Sequence, residues 1–240
     1  MSLAIEIKNL SVVFPGRTGV VPAIQDLNLA VPEGRVYGFL GPNGAGKTTT
    51  MHILLGFIEA QAGQALVFNE DVRHSIARQR IGYLPEHPDT YRFLTGRELL
   101  TMAGRLYLMK GKALRNRIDE LLAMVALTPA ADRRIATYSR GMMQRIGLAQ
   151  ALIHDPELLI LDEPTSGFDP LGRIEIRKIM TALRERGKTV FFSSHELSEV
   201  ERICDQVGII CGGRLIAEGA VAELVKAGES LEQYFLRVIS

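Results

Sequence analysis

One stretch constrains the fold more than any other: "VYGFLGPNGAGKTTTMHILL", Val36 to Leu55. It opens with a short apolar run, the mark of a strand buried on both faces. Gly41, Pro42, Gly44 and Gly46 then break the run and free the backbone from ordinary geometry. A helical pattern follows from Lys47 to about Phe57. Strand, tight glycine turn and helix in that order predict an α/β domain. The spacing from Gly41 to Thr48 is Gly-x4-Gly-Lys-Thr. In such a loop, spanning Gly41, Pro42, Asn43, Gly44, Ala45, Gly46, Lys47, Thr48 and Thr49, backbone N–H groups point at phosphate oxygens. The helix N-terminus adds partial positive charge. Lys47 is expected to reach the β- and γ-phosphates, and the Thr48 hydroxyl to ligate Mg²⁺. The plainer reading is a glycine-rich loop that merely ends a strand.

Strand-like and helical runs alternate along the rest of the 240 residues. Residues 3–8, 27–31, 35–40, 65–69, 81–84, 158–161, 189–193, 206–210 and 214–217 read as strands. Helices are expected near 47–57, 96–109, 113–126, from 141, and near 170–186 and 196–203, with helical turns at the C-terminus. The pattern predicts a mixed, largely parallel sheet with an antiparallel β edge. The block from about 88 to 155 reads as purely helical, an α-helical lobe inserted into a core lobe of 1–87 and 156–240.

Four strands end in polar groups. "VYGFL" runs into the glycine loop, "IGYL" into Pro85-Glu86, "LLIL" into Asp162-Glu163 and "TVFFSS" into His195. Ligands of open α/β sheets bind outside the carboxyl ends of the strands, so these groups are candidates for a single site. Asp162 suits a Mg²⁺ held through water, and Glu163 can orient or deprotonate an attacking water. His195 can contact a γ-phosphate or that water, although a lone histidine is more often structural. Glu86 is an ordinary exposed glutamate unless the shared edge makes it a metal-side group. Phe14 can stack a base, or simply pack beside its strand.

A second stretch, "TYSRGMMQR" from Thr137, looks like a helix start capped by Ser139 and left open by Gly141. Such an end is an anion site as well as a plain well-capped helix. The chain already has a phosphate loop, so a second one suggests a site completed by another subunit.

Composition narrows the classes. Apolar residues make up 47% and charged residues 23%, as in a soluble globular protein. The net charge of +1 gives no electrostatic reason to propose nucleic acid as ligand. Cys204 and Cys211 lack metal-like spacing and are expected to be free thiols in a reducing setting. "MSLAIEIKNL" alternates like a strand and not like a signal peptide. The apolar runs are too short to cross a bilayer, so a membrane role would fall to a partner.

The ordered set "GPNGAGKTT", "IGYLPE", "YSRGMMQRIGLAQAL", "LLILDEPTSGFD" and "SSH" resembles the nucleotide-binding subunit of ATP-binding cassette (ABC) transporters, over nearly the whole chain. The resemblance implies a P-loop NTPase core that uses ATP and Mg²⁺. It implies that Phe14 stacks adenine and that Val21 lines the base. Lys47, Glu163 and His195 would carry catalysis, with Thr48, Asp162 and Glu86 around the metal. Ser139, Arg140, Gly141 and Met142 stand where the family signature acts on the partner's ATP. Ser166, Gly167, Phe168 and Asp169 match the loop that crosses the dimer interface. The expected partners are a second ATPase subunit, identical to this one, in a head-to-tail dimer, and an integral membrane permease. No nucleic acid is expected. The subunit would sit on the cytoplasmic face of the cell membrane. Three departures stand out: Glu86 for the usual glutamine, Arg140 for the first signature glycine and Met142 for the signature glutamine. They resemble the subset that pairs with separate export permeases. A soluble cassette ATPase acting on nucleic acid or ribosomes, and a regulatory module without turnover, are the competing classes.

Overall fold

The computed structural model describes residues 2–16, 19–166, 168–226 and 228–239. Two long strands open the chain, β1 (Leu3–Gly16) and β2 (Gly19–Pro32), followed by β3 (Val36–Leu40) and α1 (Lys47–Leu54). Next come β4 (Ala62–Val67), β5 (Glu70–Asp71), α2 (Ser75–Gln79) and β6 (Ile81–Leu84). Three helices follow: α3 (Gly96–Leu106), α4 (Gly111–Met124) and α5 (Arg140–Ala151). The last part holds β7 (Leu158–Leu161), α6 (Pro170–Glu185), β8 (Thr189–Ser194), α7 (Leu197–Ile203), β9 (Gln206–Cys211), β10 (Arg214–Ala220), α8 (Val221–Leu224) and α9 (Leu231–Ile239).

The strands form two sheets. One is antiparallel, in the order β2-β1-β4-β5. The other runs β10-β9-β3-β8-β7-β6, with every pair parallel except β10 with β9. The parallel strands are apolar because both of their faces are covered. Alternation sorts their side chains between two hydrophobic clusters. Tyr37, Phe39, Leu158, Ile160 and Phe191 share one with β1 and β2 residues such as Ile5 and Leu27. Val36, Leu40, Leu159, Leu161 and Phe192 share the other with the helices. There α6 presents Ile176, Ile179, Met180 and Leu183, and α4 presents Leu114, Ile118, Leu121 and Leu122. Spacings of three and four put each set on one helix face. Burying each such side chain is worth about 1.5–3 kcal/mol.

Several element boundaries differ from the expectation. The strands expected at 3–8 and 27–31 extend to Gly16 and back to Gly19. Asn9 and Asp26 take positive φ (48° and 47°) where the β1–β2 register shifts. These bulges break the two-residue period that reveals a strand. The strand expected at 65–69 begins at Ala62 and stops at Val67, because Phe68 and Asn69 turn at φ 48° and 66°. The single turn of α2 is too short to leave a periodic signal. Between Glu86 and Pro156 the regular structure is helical apart from one isolated bridge, Thr95 to Arg134.

Candidate functional site

The glycine loop joins β3 to α1 at the carboxyl end of the parallel sheet. Gly46 precedes α1 at φ 111°, and a Cβ there would lie 2.7 Å from the Ala23 carbonyl oxygen. Only glycine fits both the angle and the gap. The first turn of α1 has neither a side-chain cap nor an acidic residue. Its N–H groups therefore stay available to an anion. They face a cleft of about 490 Å³ lined by Gly41–Thr49 with Glu86, Asp162, Glu163, His195 and Ala23. The Lys47 ammonium folds back over the loop, donating to the carbonyls of Gly41 at 2.6 Å and Pro42 at 3.3 Å. Burial holds its pKa below the usual lysine range, against the pull of Glu163, Asp162 and Glu86.

The opposite wall is acidic. Asp162, just past β7, accepts the Thr48 hydroxyl at 3.0 Å on one carboxylate oxygen and the Ser193 hydroxyl at 2.6 Å on the other. Ser193 also accepts the Glu163 N–H at 2.9 Å. One buried hydroxyl thus fixes both acidic residues. Glu163 leaves the strand at φ 48°, and its carboxylate lies 2.8 Å from His195 Nδ1. Burial raises the Glu163 pKa above the usual glutamate range, while His195 and Lys47 pull it down. A carboxylate shifted that way is a better proton acceptor at neutral pH than an exposed one. Ser193 escaped the sequence reading. It is one of three hydroxyl residues in β8, with Thr189 and Ser194, and nothing local in the sequence singles it out.

Among the described residues no group of three or more His, Cys, Asp or Glu side chains can hold a metal. What the cleft offers is the Thr48 hydroxyl beside the Asp162 carboxylate. That donor pair fits a hard cation such as Mg²⁺, which keeps water and phosphate oxygens as its other ligands. Glu86 lines the same cleft with a half-exposed carboxylate. Its carbonyl accepts the Gln144 amide of α5 at 3.4 Å.

A second cluster shares none of the cleft-lining residues. The Ser139 hydroxyl caps α5 by accepting the Met142 N–H at 3.3 Å. Arg140 Nη2 donates to the Ser166 hydroxyl at 3.3 Å, within the same chain. A Cβ on Gly141 would sit 3.3 Å from the Phe168 ring. Asp169 caps α6 by accepting the Gly172 N–H at 2.7 Å. Gly167 lies outside the described residues. The α5 start and the 166–169 loop therefore form one surface. Phe14 and Val21 are exposed cross-strand partners on the β1–β2 hairpin, and neither lines the cleft.

The family model described as ABC transporter matches residues 24–166. An ABC transporter ATP-binding protein of Nostoc sp. is 46% identical over 207 residues, 85% of this chain and 62% of the relative. Nod factor export ATP-binding protein I of Burkholderia lata is 40% identical over 213 residues, 88% of this chain and 70% of that one. The chain thus spans about three fifths to seven tenths of the length of these relatives. A solved ATP-binding subunit of an ABC transporter superposes with a TM-score of 0.89 at 28% identity, covering 99% of this chain and 100% of that one. With the P-loop cleft, the sheet order and the family model in agreement, the chain belongs to the ABC transporter family.

Proposed function

We propose that this chain is the ATP-binding and ATP-hydrolysing subunit of a transporter, driving a separate membrane permease by head-to-tail dimerisation. The observation that carries the reading is the single cleft in which the glycine loop faces Asp162, Glu163 and His195. Lys47 would leave the loop carbonyls for the β- and γ-phosphates, and the free N–H groups of α1 would take phosphate oxygens. Thr48 and Asp162 would hold Mg²⁺, with Glu86 at its side, and the ion would supply charge neutralisation on the phosphates. Glu163 would accept a proton from the water that attacks the γ-phosphorus, as the bond to ADP breaks and phosphate forms. His195 would keep the carboxylate aimed at that water.

Ser139 to Met142 would face the nucleotide held by a second, identical subunit, with Ser166 to Asp169 crossing between them. Phe14 and Val21 would lie against the base. The core lobe (1–87 and 156–240) and the helical lobe (about 88–155) would divide binding from permease contact. Among the described residues no helix is long and apolar enough to cross a membrane. Attachment to the inner face of the cell membrane would run through the permease. The name of the Nod factor export relative supports an outward direction. The test is Glu163→Gln: ATP-dependent dimers on a sizing column, with hydrolysis lost, are expected. Normal turnover overturns the reading.

A further inference from the structure

The turn between α3 and α4 carries a surface that the nucleotide chemistry does not use. Leu106 and Leu108 are 77% and 80% exposed, with Tyr107 beside them. Leu108 adopts φ 61°, which turns the chain sharply at the tip. The tip is nevertheless held in place. Tyr107 stacks on His154 at 3.9 Å with the rings 3° from parallel. The His154 ring lies 3.1 Å from the Ile81 carbonyl. Backbone bonds from Tyr107 and Met109 to the Gly104 carbonyl close the turn. An apolar tip fixed outward in this way is held in contact with water at a cost, which a covering apolar phase would remove.

The charges around the tip say what that phase is. No acidic residue occurs between Glu98 and Asp119. Arg105, Lys110, Lys112 and Arg115 are all exposed. None of these four has an ion pair or side-chain hydrogen bond among the described residues. The neighbouring carboxylates are already taken: Asp119 by Arg97, Glu120 by Arg117 and Arg186, Asp155 by Arg117 and Lys188. In a chain of net charge +1 this is a local excess of positive charge. Exposed leucines and a tyrosine flanked along the chain by unpaired cations match an interface with apolar chains beneath a negative surface.

We propose that the α3–α4 turn is a lipid-contact surface, inserting Leu106 and Leu108 into an anionic bilayer while the four cations meet its phosphate headgroups. It shares no residue with the nucleotide cleft and holds whether or not the chain hydrolyses ATP. The contact would be weak alone, and would orient a subunit tethered by a partner.

The test is flotation of the 240-residue chain with vesicles of phosphatidylcholine alone, or of equal parts phosphatidylcholine and phosphatidylglycerol. Binding to the anionic vesicles only, weakened by salt, is expected. Leu106→Gln with Leu108→Asn, and separately Lys110→Gln with Lys112→Gln and Arg115→Gln, should each lower the partition coefficient by about tenfold or more. Both variants should keep the parental melting temperature, since every changed side chain is exposed and asparagine accepts the left-handed angle at 108. Equal binding to neutral vesicles, no binding to either, or unchanged binding by either variant overturns the proposal. Loss on removing the leucines but not the cations would mean apolar insertion without headgroup recognition, and equally overturns it.

Discussion

His195 Nδ1 and Glu163 Oε2 stand 2.8 Å apart, closing a polar chain that begins at Thr48 and passes through Asp162 and Ser193. The chain links the glycine loop to the residues that follow β7 and β8, so the Glu163 carboxylate is braced from both strand ends. Exchange of Glu163 for Gln keeps the shape and removes the base that the proposed function requires. Turnover should fall by about 10²–10⁴-fold with ATP binding intact. Steady-state hydrolysis beside equilibrium nucleotide titration measures both.

The raised pKa of Glu163 has a stability consequence. A carboxyl that prefers its proton in the folded state contributes stability below its unfolded pKa, and loses it as pH rises through the folded one. Glu163→Gln should therefore melt at a higher temperature than the parent at neutral pH. The gap should close on acidification towards about pH 4. Melting curves across that range provide the check, and a constant gap would contradict the burial argument.

Ser193 is fully buried and serves two partners. Ser193→Ala leaves an Asp162 oxygen and the Glu163 N–H unpaired inside the protein. A loss of about 2–3 kcal/mol is expected in urea unfolding. Hydrolysis should drop as well, since both acidic residues lose their brace.

Arg140 reaches Ser166 in its own chain. If this contact ties the α5 start to the segment carrying Ser166, Arg140→Gly and Ser166→Ala should not be additive. A double-mutant cycle on ATP-driven dimerisation should give a coupling near 0.5 kcal/mol, roughly that of an exposed hydrogen bond. Strict additivity would mean that Arg140 acts on the facing subunit.

Gly46→Ala places a methyl group 2.7 Å from the Ala23 carbonyl at φ 111°. The backbone must shift, at a cost of about 1–3 kcal/mol, and with it the N–H groups of α1. Nucleotide affinity should fall more than stability does, as titration and thermal melting together would reveal.

The parallel strands and the shared edge were legible because burial on both faces leaves uninterrupted apolar runs that end abruptly in polar residues. Lys47, Asp162, Glu163 and His195 fall where those runs stop, and one cleft gathers them with Glu86. The β1–β2 hairpin was legible only in part. Its bulges at Asn9 and Asp26 shift the phase of alternation, and a fixed-period reading loses the strand there. Ser193 was hidden for another reason: it is one of three hydroxyl residues in "TVFFSS", and only the neighbouring strand, by setting Asp162 beside it, picks it out. The Arg140–Ser166 contact joins residues 26 apart in sequence, which no local pattern encodes.

The bare first turn of α1, without cap or acidic neighbour, leaves the protein's own conformational balance in the hands of its ligand. Any anion that settles there lowers the energy of the folded chain alone. At a hundredfold excess over Kd such binding adds about 2.7 kcal/mol to the unfolding free energy. Resistance to proteolysis should then rise as an anion such as a nucleotide fills that helix end, and fall as it leaves.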